Sequence, residues 1–262
     1  MEPVRWIWQS TTWPHLTFDA GRLARPLALA RQESGALYGT AAAIGLDEQA
    51  MLEREVWSKE AVATAAIEGE IIDLATVRSS VAHRLGLTLQ APAVPRAVEG
   101  LLDVMENAAD VWELPLTRER LCAWQAALFP TASTIRDIVV GEYRSGPDPM
   151  QIVSGPHGRE RVHYQAVAGA AVRAEMHAFL NWFNGTAEVD GLLRAGLAHV
   201  WFESIHPFED GNGRVGRAVV DLALAQDARR SSRLLGISAA MRRRQDDYYD
   251  ALNNAQRGNG DV

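Results

Sequence analysis

The sequence predicts a mostly α-helical protein carrying one β-hairpin, and three observations point there. Apolar residues recur at helical spacing in segment after segment, bounded by capping and stop residues. Glycine and proline accumulate in residues 141–165, where short apolar runs flank a turn. Internal repeats and low-complexity tracts are absent, so a solenoid is not expected. With 262 residues, 47% of them hydrophobic and 23% charged, the chain supports one large or two small packed domains and excludes disorder over most of its length.

The elements follow in order. Residues 1–20 are irregular and hold Trp6, Trp8, Trp13 and Phe18 around Pro14. Tryptophans so close together are costly in water, so this arm is expected to pack on the main body. A helix is predicted from about 20 to the Gly45-Leu46-Asp47 break, and another over 47–66, with Asp47 as its N-cap and Met51, Leu52, Val56 and Val62 apolar. A third covers about 73–85 and stops at Gly86. Gln90-Ala91-Pro92-Ala93-Val94-Pro95 reads as a loop and the internal boundary, dividing the chain into 1–92 and 93–262. Helices are predicted at about 96–110 and at 118–128, the latter opening at Thr117. Gln151-Ile152-Val153 and Arg161-Val162-His163-Tyr164 flank Gly155-Pro156-His157-Gly158 as a hairpin. Helices resume at about 167–184, 190–204, 213–228 and 238–254.

Composition narrows the function. Among 26 basic residues Lys59 is the one lysine, and it lies in no glycine-rich loop. Lysine-dependent phosphate binding, as in P-loop NTPases and the usual kinases, is therefore excluded. A net charge of −7 argues against holding nucleic acid by bulk charge. Arg242-Arg243-Arg244, followed by Asp246-Asp247, reads as a solvated helix face. The single cysteine, Cys122, cannot form an internal disulfide or a zinc ribbon and sits in an apolar helical stretch, where it is expected to pack. Neither a signal peptide nor a membrane-length apolar run is present, so a cytoplasmic protein without membrane contact is expected.

The chemistry concentrates in His206-Pro207-Phe208-Glu209-Asp210-Gly211-Asn212-Gly213-Arg214-Val215-Gly216-Arg217, between two amphipathic helices. Gly211 and Gly213 permit positive φ and close approach of a ligand, and Asn212 can cap the helix that follows. Free N–H groups at that helix start form an anion site. Arg214 and Arg217, spaced i, i+3, share a face in the first turn, where cations oppose the macrodipole unless an anion such as a polyphosphate compensates. Asp210 is a hard oxygen ligand suited to Mg²⁺ bound jointly with phosphate oxygens. His206 is the natural general base for a hydroxyl nucleophile.

This run resembles the Fic (filamentation induced by cAMP) family motif, His-x-Phe-x-Asp/Glu-Gly-Asn-Gly-Arg-x-x-Arg, and matches every specified position. The resemblance implies a Fic-type helical bundle with a β-hairpin flap. It also implies transfer of AMP from ATP to a Tyr, Thr or Ser hydroxyl of a target protein, self-modification included, with pyrophosphate leaving. By that similarity His206 deprotonates the acceptor, Asp210 holds Mg²⁺, Asn212 with the Gly211 and Gly213 backbone settles the α-phosphate, and Arg214 and Arg217 take the β- and γ-phosphates. Phe208 is an apolar anchor. Both glycines and Arg214 are present, which favours AMP transfer over the phosphate transfer of the family's kinase-like variant.

Thr64-Ala65-Ala66-Ile67-Glu68-Gly69 resembles the family's inhibitory motif, Ser/Thr-x-x-x-Glu-Gly/Asn. It implies that Glu68 pairs with Arg217 in the γ-phosphate's place; Glu70, beyond the glycine, is a weaker candidate. The hairpin occupies the place of the family's flap, with Gln151, Ile152, Val153, Val162 and His163 as the implied target-binding strand residues. His157 and His163 lack the spacing of metal ligands. The Trp6 to Pro14 arm resembles an extension found in a bacterial subgroup, whose members commonly continue into a C-terminal helix-turn-helix-like domain; this sequence ends at Gly258-Asn259-Gly260-Asp261-Val262. Trp124-Gln125 stands where relatives often have Trp-His and reads as structural variation. The implied partners are ATP and a protein target, with a homodimer or higher homo-oligomer left open. Two other functions also stay open: removal of AMP from a modified protein by the same site, and a catalytically silent ATP-sensing module.

Overall fold

The computed structural model describes residues 6–90, 93–130, 138–154, 159, 161–185, 189–258 and 260–262. Their order is α1 (Ala20–Ala43), α2 (Leu46–Ile67), α3 (Leu74–Arg84), α4 (Arg96–Asp110), α5 (Arg118–Leu128), β1 (Pro149–Ser154), β2 (Arg161–Ala168), α6 (Gly169–Gly185), α7 (Gly191–Ile205), α8 (Asn212–Ala228), α9 (Ile237–Arg243) and α10 (Gln245–Arg257). The mostly α class with one antiparallel hairpin is as the sequence predicts. The expected boundary at Ala91-Pro92 and the turn at Gly155–Gly158, with His157, lie outside the described residues.

Local chemistry explains most of the helix limits. Asp19, Asp73, Thr117 and Asp190 each precede a helix and accept a hydrogen bond from a first-turn N–H with the side chain. Asp47 does not cap α2. The helix begins one residue earlier, with Gly45 as N-cap, and Asp47 sits in the first turn, where its charge favours the helix N-terminus. The helix expected over 238–254 is two helices broken at Arg244. The start of the first of them is set non-locally: the Glu60 carboxylate, from α2, accepts from the backbone N–H of Ser238 and Ala239. At Arg244 the N–H is shared between the carbonyls of Ala240 and Met241, which tightens the turn and ends α9.

Helices α7 and α8 pack against each other at the centre. Around them one apolar cluster gathers Trp57 and Ala61 of α2, Val77 of α3, Leu102 of α4, Leu121 of α5 and Phe179 of α6, so residues from both sides of 92 share a core. Cys122 is buried in that cluster, and desolvation pushes its thiol above the usual range, which suits packing and not nucleophilic attack. The N-terminal arm packs as expected. Trp6 meets Tyr164 edge-on at 5.4 Å, and Trp13 meets Trp201 at 5.9 Å. The indole N–H of Trp8 donates to Gln165 O, and that of Trp13 to Glu175, at 2.7 and 2.9 Å. No helix among the described residues is long and apolar enough to cross a membrane.

Asp221 of α8 and Glu60 line one small cavity beneath this core. Desolvation first, and the Glu60 charge second, push the Asp221 carboxyl well above its usual range. Between the unfolded value and this raised one, the folded protein keeps a proton that the unfolded chain releases, so stability falls as pH rises through that window. Asp221→Asn is therefore expected to raise the melting temperature at neutral pH and to flatten its decline above about pH 4. Thermal denaturation from pH 4 to 8 checks this, and an equal slope in both proteins would contradict it.

Candidate active site

The loop between α7 and α8 is braced by bonds from β2, from α5 and from Arg144, which lies between α5 and β1. His206, the C-cap of α7, adopts the left-handed region at φ 52°, ψ 64°, which is strained for a residue with a side chain. The carbonyls that this leaves at the helix end are satisfied from outside. Arg144, 5% exposed, donates from Nε to His206 O and from Nη2 to Ile205 O and to Val167 O of β2, at 2.7, 3.0 and 2.7 Å. Tyr164 of β2 donates to Ser204 O at 2.8 Å. A buried cation at a helix C-terminus is favourable, and here it also ties the hairpin's base to the loop. Sequence reading missed Arg144 because nothing local distinguishes it from the other arginines.

Phe208 is fully buried, 5.4 Å from the Tyr143 ring, and anchors the loop's centre. Asn212 does not cap α8 as expected; Gly211 is the N-cap, at φ 86°. The Asn212 amide folds back on Phe208, accepting from its N–H at 2.8 Å and donating to its carbonyl at 2.7 Å. This leaves the first N–H groups of α8 without a side-chain cap, the arrangement that receives an anion. Gln125 is more than a variation: it is fully buried, accepts from Gly141 N at 2.5 Å and donates to Asp210 O at 3.4 Å, bracing the loop from α5. Asp210 itself is 46% exposed, and its Oδ1 accepts from Gly211 N at 2.6 Å.

Both arginines of α8 meet carboxylates from the end of α2. Arg217, 3% exposed, donates from Nε to Thr64 Oγ1 and from Nη2 to Thr64 O and Glu68 Oε1, at 2.7, 3.0 and 2.7 Å. Burial works against its charge most strongly, but Glu68 together with Tyr248 and Glu203 holds the guanidinium above its usual range. Arg214 donates to Glu70 Oε1 at 2.7 Å and stacks over the Phe129 ring at 5.2 Å. The Glu68 carboxylate presses on Gly213, where a methyl group would collide with Oε1. A carboxylate thus occupies the anion-receiving start of α8.

The chain direction at Gly69 explains why two carboxylates converge. Gly69 N–H bonds Ala66 O at 3.1 Å and Glu70 N–H bonds Ala65 O at 3.0 Å, with Gly69 at φ 79°, which together make a Schellman turn. The turn places Glu68 just before the glycine and Glu70 just after it, both against α8. Glu70, set aside in the sequence because it lies beyond the glycine, is brought to Arg214 by this reversal. Gly69→Ala is expected to destabilise the fold by about 1 kcal/mol, since alanine is strained at positive φ. Urea denaturation measures it, and an unchanged midpoint would contradict the strain.

On the other side of the loop, Glu203 of α7 lies one turn before His206, its Oε2 3.7 Å from His206 Nδ1. Burial would raise the Glu203 carboxyl, but His206, His199 and Arg217 together hold it below its usual range. His199 and Tyr248 share a hydrogen bond of 2.8 Å nearby.

The hairpin pairs Gln151 with Gln165, Ile152 with Tyr164 and Val153 with Val162. Its inner strand is occupied: Trp8 bonds Gln165 O, and Arg257 donates to His163 O at 3.2 Å. The β1 strand, with Gln151 and Val153 exposed, is the outer edge of the two-stranded sheet. The arrangement as a whole places an imidazole, an exposed carboxylate, an anion-ready helix start and two guanidinium groups around one loop. Such a set can bind a polyphosphate and take a proton from a hydroxyl.

Residues 115–224 match the family model described as Fic/DOC family, and residues 6–87 match a domain of unknown function, DUF4172. A stretch of 79 residues, 30% of the chain, is 34% identical to a probable protein adenylyltransferase of Aquifex aeolicus strain VF5 and covers 22% of it. Among solved structures, a Fic family protein from Desulfovibrio desulfuricans G20 is 27% identical, with a TM-score of 0.60 over 84% of this chain and 63% of that one. A Fic domain containing signaling protein from Bacteroides thetaiotaomicron VPI-5482 shares the fold at 15% identity, with a TM-score of 0.58 over 86% of this chain and 95% of that one.

Proposed function

The chain carries a Fic/DOC family domain in residues 115–224, and from that premise we propose that it is a self-inhibited protein adenylyltransferase. It would move AMP from ATP to a Tyr, Thr or Ser hydroxyl of a target protein. The observation that carries this reading is the Glu68 carboxylate lodged between Arg217 and the start of α8, because a site that captures a carboxylate there is built for an anion. The name of the Aquifex aeolicus relative supports the same activity.

In this reading ATP lays its phosphates along the N-terminus of α8. Backbone N–H groups around Gly211 and Gly213 receive the α-phosphate, and Asn212 keeps their geometry by its two bonds to Phe208. Arg214 and Arg217 take the β- and γ-phosphates. His206 accepts the proton of the target hydroxyl, whose oxygen attacks the α-phosphorus, and the bond from that phosphorus to the bridging oxygen breaks as pyrophosphate leaves. Among the described residues no three His, Cys, Asp or Glu side chains converge to hold a metal unaided, so a cation here would take Asp210 together with phosphate oxygens. Such a Mg²⁺ ion would neutralise charge on the phosphates. The outer edge of β1 gives a target segment main-chain bonds with little demand on its sequence.

Inhibition follows from the same contacts. Glu68 fills the γ-phosphate's place on Arg217, and Glu70 engages Arg214 beside it. The test is the fate of the label: α-labelled ATP marks protein, whereas γ-labelled ATP releases its label as pyrophosphate. Protein marked by the γ-label would mean phosphate transfer and would contradict the proposal. Release of AMP from a pre-modified protein without any incorporation would instead favour the reverse, hydrolytic reaction.

A further inference from the structure

Behind the imidazole of His206 lies a charged group that the loop motif does not contain. Glu203 is 7% exposed, and its Oε1 has no hydrogen-bond partner among the described residues; neither has His206 Nδ1. Leaving a carboxylate buried and unpartnered is expensive, and an ionised one more so. The fold nevertheless makes room for it. Gly216 of α8 faces Glu203, and a methyl group there would collide with Oε1. Two separate features therefore put this charge where it is: the i, i+3 register of α7 with His206, and a glycine on the facing helix.

The His206 ring has two nitrogens with different neighbours. Nδ1 points to the buried side, 3.7 Å from Glu203 Oε2. A carboxylate on that side favours the tautomer with the hydrogen on Nδ1, which leaves the lone pair on Nε2. It also favours the imidazolium that forms when Nε2 takes a proton. A separation of 3.7 Å is longer than a hydrogen bond, and such contacts commonly shorten once substrate is bound.

Resting on the adenylyltransferase reading, we propose that Glu203 is a positioning residue for His206, accepting a hydrogen bond from Nδ1–H and thereby holding Nε2 as the base. Gly216 is the complementary part of the device, since it houses the carboxylate.

Two measurements test this, one of which does not depend on activity. The first reads the His206 tautomer by nitrogen-15 NMR of the imidazole in the otherwise unaltered protein and in Glu203→Gln. The expected result is hydrogen on Nδ1 in the unaltered protein and a shift toward the Nε2–H form in the variant; the same tautomer in both would overturn the proposal. The second measures AMP incorporation in a Glu68→Gly background. Glu203→Gln is expected to lower kcat on the order of 10²-fold with KM for ATP within about twofold, and Glu203→Asp to recover part of the loss. A kcat within about twofold of the background, or a loss that appears only as a raised KM or a lowered melting temperature, would overturn it. Should Glu203→Gln fail to fold, Gly216→Ala displaces the same carboxylate and is expected to move the tautomer in the same direction. If the Glu68→Gly protein transfers no AMP at all, the adenylyltransferase reading fails, while the NMR result still decides the role of Glu203.

Discussion

Replacing Glu68 with glycine is expected to raise AMP incorporation on the order of 10²-fold while lowering stability. The two effects have one cause. Glu68 pairs with the buried Arg217 guanidinium at 2.7 Å against Gly213, which in the proposed reading is the place of a phosphate. A closed state favoured by about 3 kcal/mol leaves under one molecule in a hundred competent, so abolishing it returns about that factor. The same change leaves the buried Arg217 with Thr64 as its remaining hydrogen-bond partner among the described residues, at a cost of about 1–3 kcal/mol once the partial exposure of Glu68 is allowed for. Added ATP is expected to restore the lost thermal stability, because it binds the folded state alone. Glu70→Gln by itself is expected to change incorporation less than about threefold, since its ion pair with Arg214 is half-exposed. Labelled-ATP incubation with both variants checks this, and equal incorporation by wild-type and Glu68→Gly protein would remove the inhibitory role.

His206→Ala in the Glu68→Gly background is expected to lower the transfer rate by about 10²- to 10⁴-fold, the usual worth of a positioned general base. ATP affinity is expected to stay within about threefold, because the phosphate contacts come from α8 and not from the imidazole. Calorimetry separates the two quantities. A loss of binding equal to the loss of rate would assign His206 to the phosphates instead.

The parts of this molecule legible in its sequence are those that depend on neighbours along the chain. Thr117 announces α5 because a side-chain cap acts within one turn, and the limits of α4 follow from apolar spacing. The loop from His206 to Arg217 is legible because its residue types are crowded into one short run. The hidden parts depend on contacts across the fold. The start of α9 is fixed by Glu60, far earlier in the chain, which accepts from its first N–H groups. Glu70 reaches Arg214 only because Gly69 reverses the chain, and Asn212 turns from a capping role to grip Phe208. Arg144, Gln125 and Glu203 look ordinary in sequence and take their places around the loop only when β2, α5 and α8 are packed beside it.

In the proposed reading, Asp210 and the hairpin edge would make the loop one shared by two substrates. The nucleotide would enter along α8, and the target along β1, whose base is tied to the loop through Arg144.

The most direct measurement is intact-mass spectrometry of three proteins incubated with ATP and Mg²⁺: wild type, Glu68→Gly, and Glu68→Gly with His206→Ala. The account predicts AMP adducts on the Glu68→Gly protein and few or none on the other two. Adducts at the same level on all three, or on none of them with a cell lysate equally unmodified, would contradict it.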